Sequence, residues 1–359
     1  MPNRPSICIV GAGLTGLVCA RKLAQRGFRV QVVEQHSTPG GMLSSVRIGH
    51  EYIELLPHHI RKNDRNVLAL LKELGLHEDI SWHDSYWYGR AGRKKLGYPE
   101  KGFHSLISAL SQEITDQGGI IYYGYTVMDI DVSEDEKRQY RVSCVLSDCT
   151  TIVLDSDVVL FTGSCRNLAH ITHNLDLPTD FRDPLMDITY KANMSLLLVM
   201  KSPFTGCFSR PFGDDYPFQR IIQHTNLVGE RRYGGHILYL SGSFHTSHPM
   251  WTQSDADVFK AFFKSLQKLS PSLVRSDIKT WRLTRTRYAL PTSVPELPLT
   301  SPLPGLFLSS LAMVGDNVVS SEYRMDPTIA LAGETVKMIE ESISGRSLPG
   351  TGTVIERIY

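Results

Sequence analysis

The chain has 359 residues, 42% of them hydrophobic, which is enough to fill roughly two domain cores. Lys and Arg total 38 against 37 Asp and Glu, so the formal net charge of +1 gives no basic footprint and argues against a nucleic-acid partner. Six cysteines, none in a CxxC pair and none near His at metal-ligand spacing, argue against a disulfide framework and predict no metal site.

The N-terminal MPNRPSICIVGAG holds an apolar run too short for a signal peptide or a membrane span. A cytoplasmic protein without a transmembrane segment is the expectation. Residues 6–10 read as a buried strand, and 14–26 as a helix with Leu14, Leu17, Val18 and Leu23 on one face, stopped at Gly27. Residues 28–34 alternate as a second strand, completing a βαβ opening. Further helices are predicted over 64–75, with Asp64 as cap, and over 104–117, ended by Gly118-Gly119. A strand runs to Val127, and 138–147 with 151–161 read as a hairpin, its second arm ending like a parallel strand at Thr162-Gly163. Residues 189–201 and 235–244 alternate as strands of a half-exposed sheet, 206–219 suggest loops, 254–269 a helix, and 290–305 a proline-rich extended segment. A strand at 306–310 precedes a last helix, expected to start with Asp326 as N-cap and Pro327 in first position.

The chemistry begins at Gly11-Ala12-Gly13-Leu14-Thr15-Gly16. Gly11 allows a tight turn after the strand, Gly13 lets a pyrophosphate approach the backbone, and Gly16 lets the helix pack close. The helix N-terminus, at Leu14 and Thr15, offers free N–H groups to the phosphates. Glu34 ends the second strand and can accept hydrogen bonds from a ribose diol, with Gln35 beside it. Taken alone, this segment fits NAD as well as FAD.

The next residues resemble the flavoprotein superfamily of amine oxidases, protoporphyrinogen oxidases and carotenoid desaturases. The carriers are Gly40-Gly41-Met42-Leu43 directly after the acidic strand, and Leu56-Pro57-His58-His59-Ile60 with Asn63-Asp64. Met42 stands where many amine oxidases carry Arg. Val127 is similar to the valine that holds the adenine, Asp157 to Gly163 (with Thr162) to the closing strand, and Gly315-Asp316 to the C-terminal flavin segment. The resemblance implies an α/β fold: a Rossmann-like (GR2-type) FAD-binding domain with an inserted α+β substrate domain. FAD would be held non-covalently. Residues 1–60, 104–165 and 275–345 would form the FAD domain, 61–103 and 166–274 the substrate domain, and 346–359 a tail. Pro327 and Thr328 at the last helix start would face the flavin N1–C2=O edge and stabilise its reduced, anionic form.

His58 and His59 are the candidate acid/base groups, since His titrates near neutrality. An adjacent pair projects to opposite sides of an extended chain, so one of them faces the ring at most. Lys191 is the candidate for the lysine that many relatives hold near flavin N5. Tyr86, Trp87, Tyr88 and Tyr98 are candidates for an apolar pocket or for core. The expected function is an FAD-dependent oxidoreductase taking a hydride from a C–N or C–C bond of a small organic, biosynthetic substrate. Two alternatives stand beside it: a non-redox flavoenzyme of the UDP-galactopyranose mutase type, with Arg90, Arg93, Arg231 and Arg232 binding a diphosphate, or a non-catalytic partner. Oligomeric state is not readable.

Overall fold

The computed structural model describes residues 5–89, 91–135, 139–294, 297–318 and 325–345. Strands and helices are numbered in chain order. Five strands form one sheet: β1 (Ser6–Val10), β2 (Arg29–Glu34), β7 (Ile120–Tyr123), β11 (Val158–Phe161) and β17 (Leu306–Leu308), in the order β17-β11-β1-β2-β7. Every neighbouring pair is parallel. Side chains alternate across such a sheet. Ile7 and Ile9 therefore join one core with α1 (Leu14–Gln25), α3 (His104–Asp116) and α8 (Met325–Ile343). Cys8, Val159 and Phe161 join the other, under the antiparallel sheet β8 (Thr126–Val132), β9 (Tyr140–Val145) and β10 (Thr151–Ser156). Burial on both faces is what a parallel sheet requires, and it explains why these strands read as continuous apolar runs. Helix α1 closes as expected, with the N–H of Gly27 on Ala24 and that of Phe28 on Leu23.

The second sheet is antiparallel, in the order β13 (Ser209–Pro211), β14 (Arg220–Gln223), β15 (His236–Phe244), β12 (Thr189–Met200), β16 (Ile278–Ser293). Helix α7 (Asp255–Leu269) covers one face through Phe262 and Leu266 against Met194, Leu196 and Leu198. On the opposite face Leu197, Val199, Ile222 and Tyr239 join the first core. Hairpins β3 (Ser45–Ile48)–β4 (Glu51–Glu54) and β5 (Ile80–Tyr86)–β6 (Arg93–Pro99), with α2 (Arg65–Glu73), α4 (Cys165–Ile171), α5 (Thr179–Asp187) and α6 (Thr225–Val228), complete the chain. Among the described residues no helix is long and apolar enough to cross a membrane.

Four expectations are corrected. The arm expected over 151–161 is two strands in different sheets, β10 and β11; the chain turns at Asp157, whose carboxylate accepts from the Ser6 N–H at 2.6 Å. Residues 206–219 hold the short strand β13. Strand β16 lies within 275–345 yet is hydrogen-bonded along β12, so it belongs to the second sheet. Nothing local marks that boundary, because a strand's sequence does not state its partner.

The fourth correction concerns helix caps. Asp326 lies inside the first turn of α8. Its carboxylate instead accepts from the N–H of Asn66 at 2.6 Å and of Val67 at 3.1 Å, and from the Asn66 side chain at 2.9 Å. Those are the N–H groups a local cap on α2 would take. Asp64 stands at the N-cap position of α2 as expected, but its carboxylate accepts from the Arg61 N–H and makes no capping bond to the helix. Asp326 thus ties the start of α2 to the start of α8. Asp326→Ala is expected to cost about 1–2 kcal/mol, the usual worth of a helix cap. Urea unfolding measures it; an unchanged midpoint would show the cap to be idle.

Candidate active site

The parallel sheet delivers its fingerprint to one rim. Gly11 follows β1, and its N–H donates to Val33 at 2.8 Å. A Cβ on Gly16 would stand 2.0 Å from the Gly11 carbonyl oxygen, so only glycine lets α1 start this close to the turn. Thr162 fixes the same turn by donating its hydroxyl to the carbonyl of Val10 at 2.9 Å and of Gly11 at 3.2 Å. The second glycine pair crosses directly over the first. The Gly40 N–H donates to Ala12 at 2.8 Å, and a Cβ on Gly41 would stand 3.1 Å from Gly13 Cα. Met42 and Leu43 continue from there as a single 3-10 turn, with Leu43 buried. Gly13 has no side chain to cap α1, so the first N–H groups, at Leu14, Thr15 and Gly16, are left for a ligand.

A cleft of about 270 Å³ opens beside this loop. Gly11, Glu34, Gln35, Val127 and Gly163, all expected at the cofactor, line it together. Asn167, His170 and Ile171 also line it and were not anticipated. They come from α4, started by Ser164, whose hydroxyl accepts from the Asn167 N–H; a Ser one residue after Gly163 was the available signal. Glu34 is 5% exposed. Its carboxylate accepts from the N–H groups of Ala12 at 2.8 Å and His36 at 2.9 Å, and pairs with the His36 ring at 2.9 Å. Burial would raise the Glu34 carboxyl, but the His36 and Ala12 hydrogen bonds outweigh it and hold it below the usual carboxylate range. The residues present therefore fit the ADP half of a dinucleotide: free helix N–H groups for phosphate, a glycine crossing without side chains, and an ionised acceptor for a diol.

The residues expected on the flavin side are spread over the segment after β4, strand β12 and the start of α8. After β4 the chain runs through Pro57 to His58, which is 4% exposed. The His58 ring is 2.8 Å from the Leu56 carbonyl, with Phe103 edge-on. Burial pushes His58 down to about 4, so its imidazole is neutral at physiological pH. His59 is half-buried, edge-on to Phe208. Lys191 is exposed on β12, opposite Leu290. Pro327 and Thr328 lie in the first turn of α8. Gly315 falls in the 3-10 run Leu311–Val318, while the side chain of Asp316 lies outside the described residues. Arg90 and residues 346–359 lie outside them too.

The aromatic group divides. Tyr98 is core, 1% exposed, whereas Tyr86 and Tyr88 are exposed with Arg93 and Arg210 stacked on them. Of the arginines a diphosphate would need, Arg93 also faces Asp84 at 3.6 Å, and Arg232 faces Glu51 at 3.8 Å.

Sequence reading missed the buried polar centre around Glu54, which is 1% exposed. Glu54 accepts from Tyr98 and from the Phe103 N–H, both at 2.7 Å, and its carbonyl accepts from Tyr239 at 2.6 Å. The His224 ring stacks edge-on against Tyr98. Burial pushes Glu54 up to about 7, against the pull of its hydrogen bonds, and His224 down to about 3. Between pH 4.5 and about 7 the folded state thus keeps a Glu54 proton that the unfolded chain has released. This contribution to stability falls as pH rises through that window, by about 3 kcal/mol in all. Neutral His58 and His224 act with the opposite sign, so the effect is read as wild type minus Glu54→Gln. Urea unfolding from pH 4.5 to 8 is expected to show the variant gaining on wild type across that span; a constant difference would contradict the Glu54 assignment.

Comparison with known proteins decides the family. The model of the NAD(P)-binding Rossmann-like domain matches residues 9–74, and that of flavin containing amine oxidoreductase matches 83–337. The chain belongs to the flavin-containing amine oxidoreductase family. The cofactor of this flavin-containing family is FAD, and the cleft's donors and acceptors fit its ADP half. An L-amino-acid oxidase from Sistrurus catenatus edwardsii is 34% identical over 123 residues, 34% of this chain and 21% of that protein. The matched stretches span 10–21% of the lengths of the first curated relatives. Among solved structures, a protein assigned as a protoporphyrinogen oxidase from Exiguobacterium sp. 255-15 superposes with a TM-score of 0.73 at 13% identity, covering 94% of this chain and 99% of that one. A putrescine oxidase bound to putrescine superposes at 0.68 with 12% identity, covering 94% and 99%. At these identities the superpositions establish a shared fold.

Proposed function

We propose that the protein is an FAD-dependent oxidoreductase that takes a hydride from a C–N bond, or an adjacent C–C bond, of a small organic substrate. The observation that carries this reading is the crossing of Gly13 and Gly41 beside a cleft lined by Glu34 and Val127. When bound, FAD accepts the hydride, and dioxygen or another external oxidant removes its two electrons. The parallel-sheet half binds the cofactor, and the β12–β16 sheet faces the substrate. Gly11 to Gly16 and the α1 N-terminus hold the pyrophosphate, Glu34 the ribose, and Val127 the adenine. The α8 start, with Pro327 and Thr328, directs partial positive charge at the flavin pyrimidine edge. Neutral His58 fixes the segment before Ile60, which leaves His59 as the member of the pair placed to take the substrate proton. Lys191 sits on the sheet face turned to the flavin.

The experiment is direct. Purified protein is denatured and the released cofactor identified, then the holoprotein is screened anaerobically for flavin bleaching by amines and cyclic precursors. Release of FAD and bleaching by a substrate support the reading. Colourless protein that stays free of FAD when FAD is added defeats it.

A further inference from the structure

One wall of the cleft beside the fingerprint comes from neither the glycine motifs nor the ribose acid. The parallel strands supply Val10, Gly11, Glu34 and Phe161 at their ends, and β8 supplies Val127 near its start. The remaining wall is α4, through Asn167, His170 and Ile171. Their spacing of three and four residues puts all three on one face of that helix. At about 270 Å³ the cleft is smaller than the roughly 300–1,000 Å³ of pockets that enclose a drug-sized ligand, so it receives one portion of a dinucleotide. With the ribose on Glu34, the base falls to the apolar part of the cleft, among Val127, Phe161 and Ile171.

Helix α4 is a rigid wall. Cys165 and Leu168 are fully buried on its other side. The Cys165 N–H donates to the Tyr190 hydroxyl at 3.2 Å, and Arg166 Nε to the Ile188 carbonyl at 2.9 Å. Beyond the helix, Thr172 donates to the Leu168 carbonyl at 2.6 Å, and Asn174 to the Asp129 carboxylate at 3.0 Å. The His173 ring lies 3.5 Å from the same carboxylate. These polar side chains are committed to the fold. Asn167 and His170 are tied through their backbones instead, the Asn167 N–H to Ser164 and the His170 carbonyl to the His173 ring. Their side chains are exposed at the cleft. A fixed helix that presents two uncommitted polar side chains to a cleft is suited to recognition.

We infer that α4 reads the adenine base of FAD, with the Asn167 amide on the base edge that carries N6 and N7 and the His170 ring against the base face. An Asn amide holds a donor and an acceptor side by side, which matches the N6 amino group and N7 of adenine. Hypoxanthine has a carbonyl in place of that amino group and leaves the amide oxygen without a donor. Aromatic rings, His among them, take the faces of unpaired bases. The glycine fingerprint and Glu34 grip phosphate and ribose, which every dinucleotide shares, so discrimination between bases has to come from elsewhere in the cleft. This inference rests on the cleft holding the ADP half of FAD.

The test measures FAD dissociation constants by flavin fluorescence for wild type, Asn167→Ala, His170→Ala and, as the reference for the cleft, Glu34→Ala. Both α4 variants are expected to bind FAD about tenfold more weakly, the worth of one hydrogen bond or one stacked base. Their circular dichroism should match wild type, because both side chains are exposed. Displacement of FAD from the holoprotein by ADP and by IDP then reads the base. Wild type is expected to favour ADP by about tenfold. Asn167→Ala should lose that preference, and His170→Ala should keep it. FAD affinity that falls in Glu34→Ala but stays at the wild-type value in both α4 variants overturns the inference and leaves the cleft assignment standing. Equal displacement of FAD from wild type by ADP and IDP overturns it as well, with no variant needed. Unchanged affinity in all three variants removes the cofactor from the cleft, and this inference with it.

Discussion

Gly16→Val is expected to yield a folded chain without FAD. A Cβ at this position would meet the Gly11 carbonyl oxygen at 2.0 Å and Thr162 Oγ1 at 3.1 Å. The first contact is with backbone, which cannot turn aside as a side-chain tip can. Either α1 or the turn after β1 must move by on the order of 1 Å, and both carry the N–H groups aimed at the pyrophosphate. Losing that alignment is expected to weaken FAD binding by about a thousandfold or more, roughly 4 kcal/mol. Gly333→Ala is the control. It sits in α8 with open space where its Cβ would go. It should keep full FAD and gain a few tenths to about 1 kcal/mol from helix propensity. Flavin absorbance after gel filtration, with circular dichroism to check folding, reads both. A yellow, stoichiometric Gly16→Val protein would show that the phosphates bind elsewhere.

Glu34→Ala should weaken FAD binding by about a hundred- to a thousandfold. A ribose diol donates hydrogen bonds to an ionised carboxylate, and a bond to a charged group contributes about 1.5–3 kcal/mol. The replacement also strips the Ala12 N–H of its acceptor in the turn that carries the fingerprint. Glu34→Gln keeps the shape and one acceptor, so it should lose less, about tenfold. The pH dependence has a definite sign. With its folded pKa held low, Glu34 contributes stability that is present above the ordinary carboxylate range and lost as pH falls through the lowered value. FAD should therefore be released on acidification in wild type, and Glu34→Gln should flatten that part of the profile. Quenching of flavin fluorescence gives the dissociation constants; unchanged affinity in Glu34→Ala would remove Glu34 from the ribose site.

These two positions were legible because their physics is local. Gly11, Gly13 and Gly16 are spaced for one turn and the first turn of one helix, and Glu34 ends the strand that follows. The cleft-lining residues of α4 were one step beyond the last motif and carried only the weak signal of a capping Ser. Asp326 shows the limit more sharply. It satisfies every local rule for capping its own helix, yet its partners are Asn66 and Val67, about 260 residues away in sequence. Glu54, Tyr98 and His224 carry no motif at all; their meeting depends on a hairpin, a helix start and the second sheet closing together.

The sequence by itself determined the dinucleotide site, because a glycine turn, a helix N-terminus and an acid at a strand end need only a short βαβ segment to act. Only the tertiary structure decided which sheet β16 joins, which of His58 and His59 is buried, and which side chains of β12 join the core of the parallel-sheet half. Those outcomes follow from strand pairing and burial between distant segments, which no local period or propensity encodes.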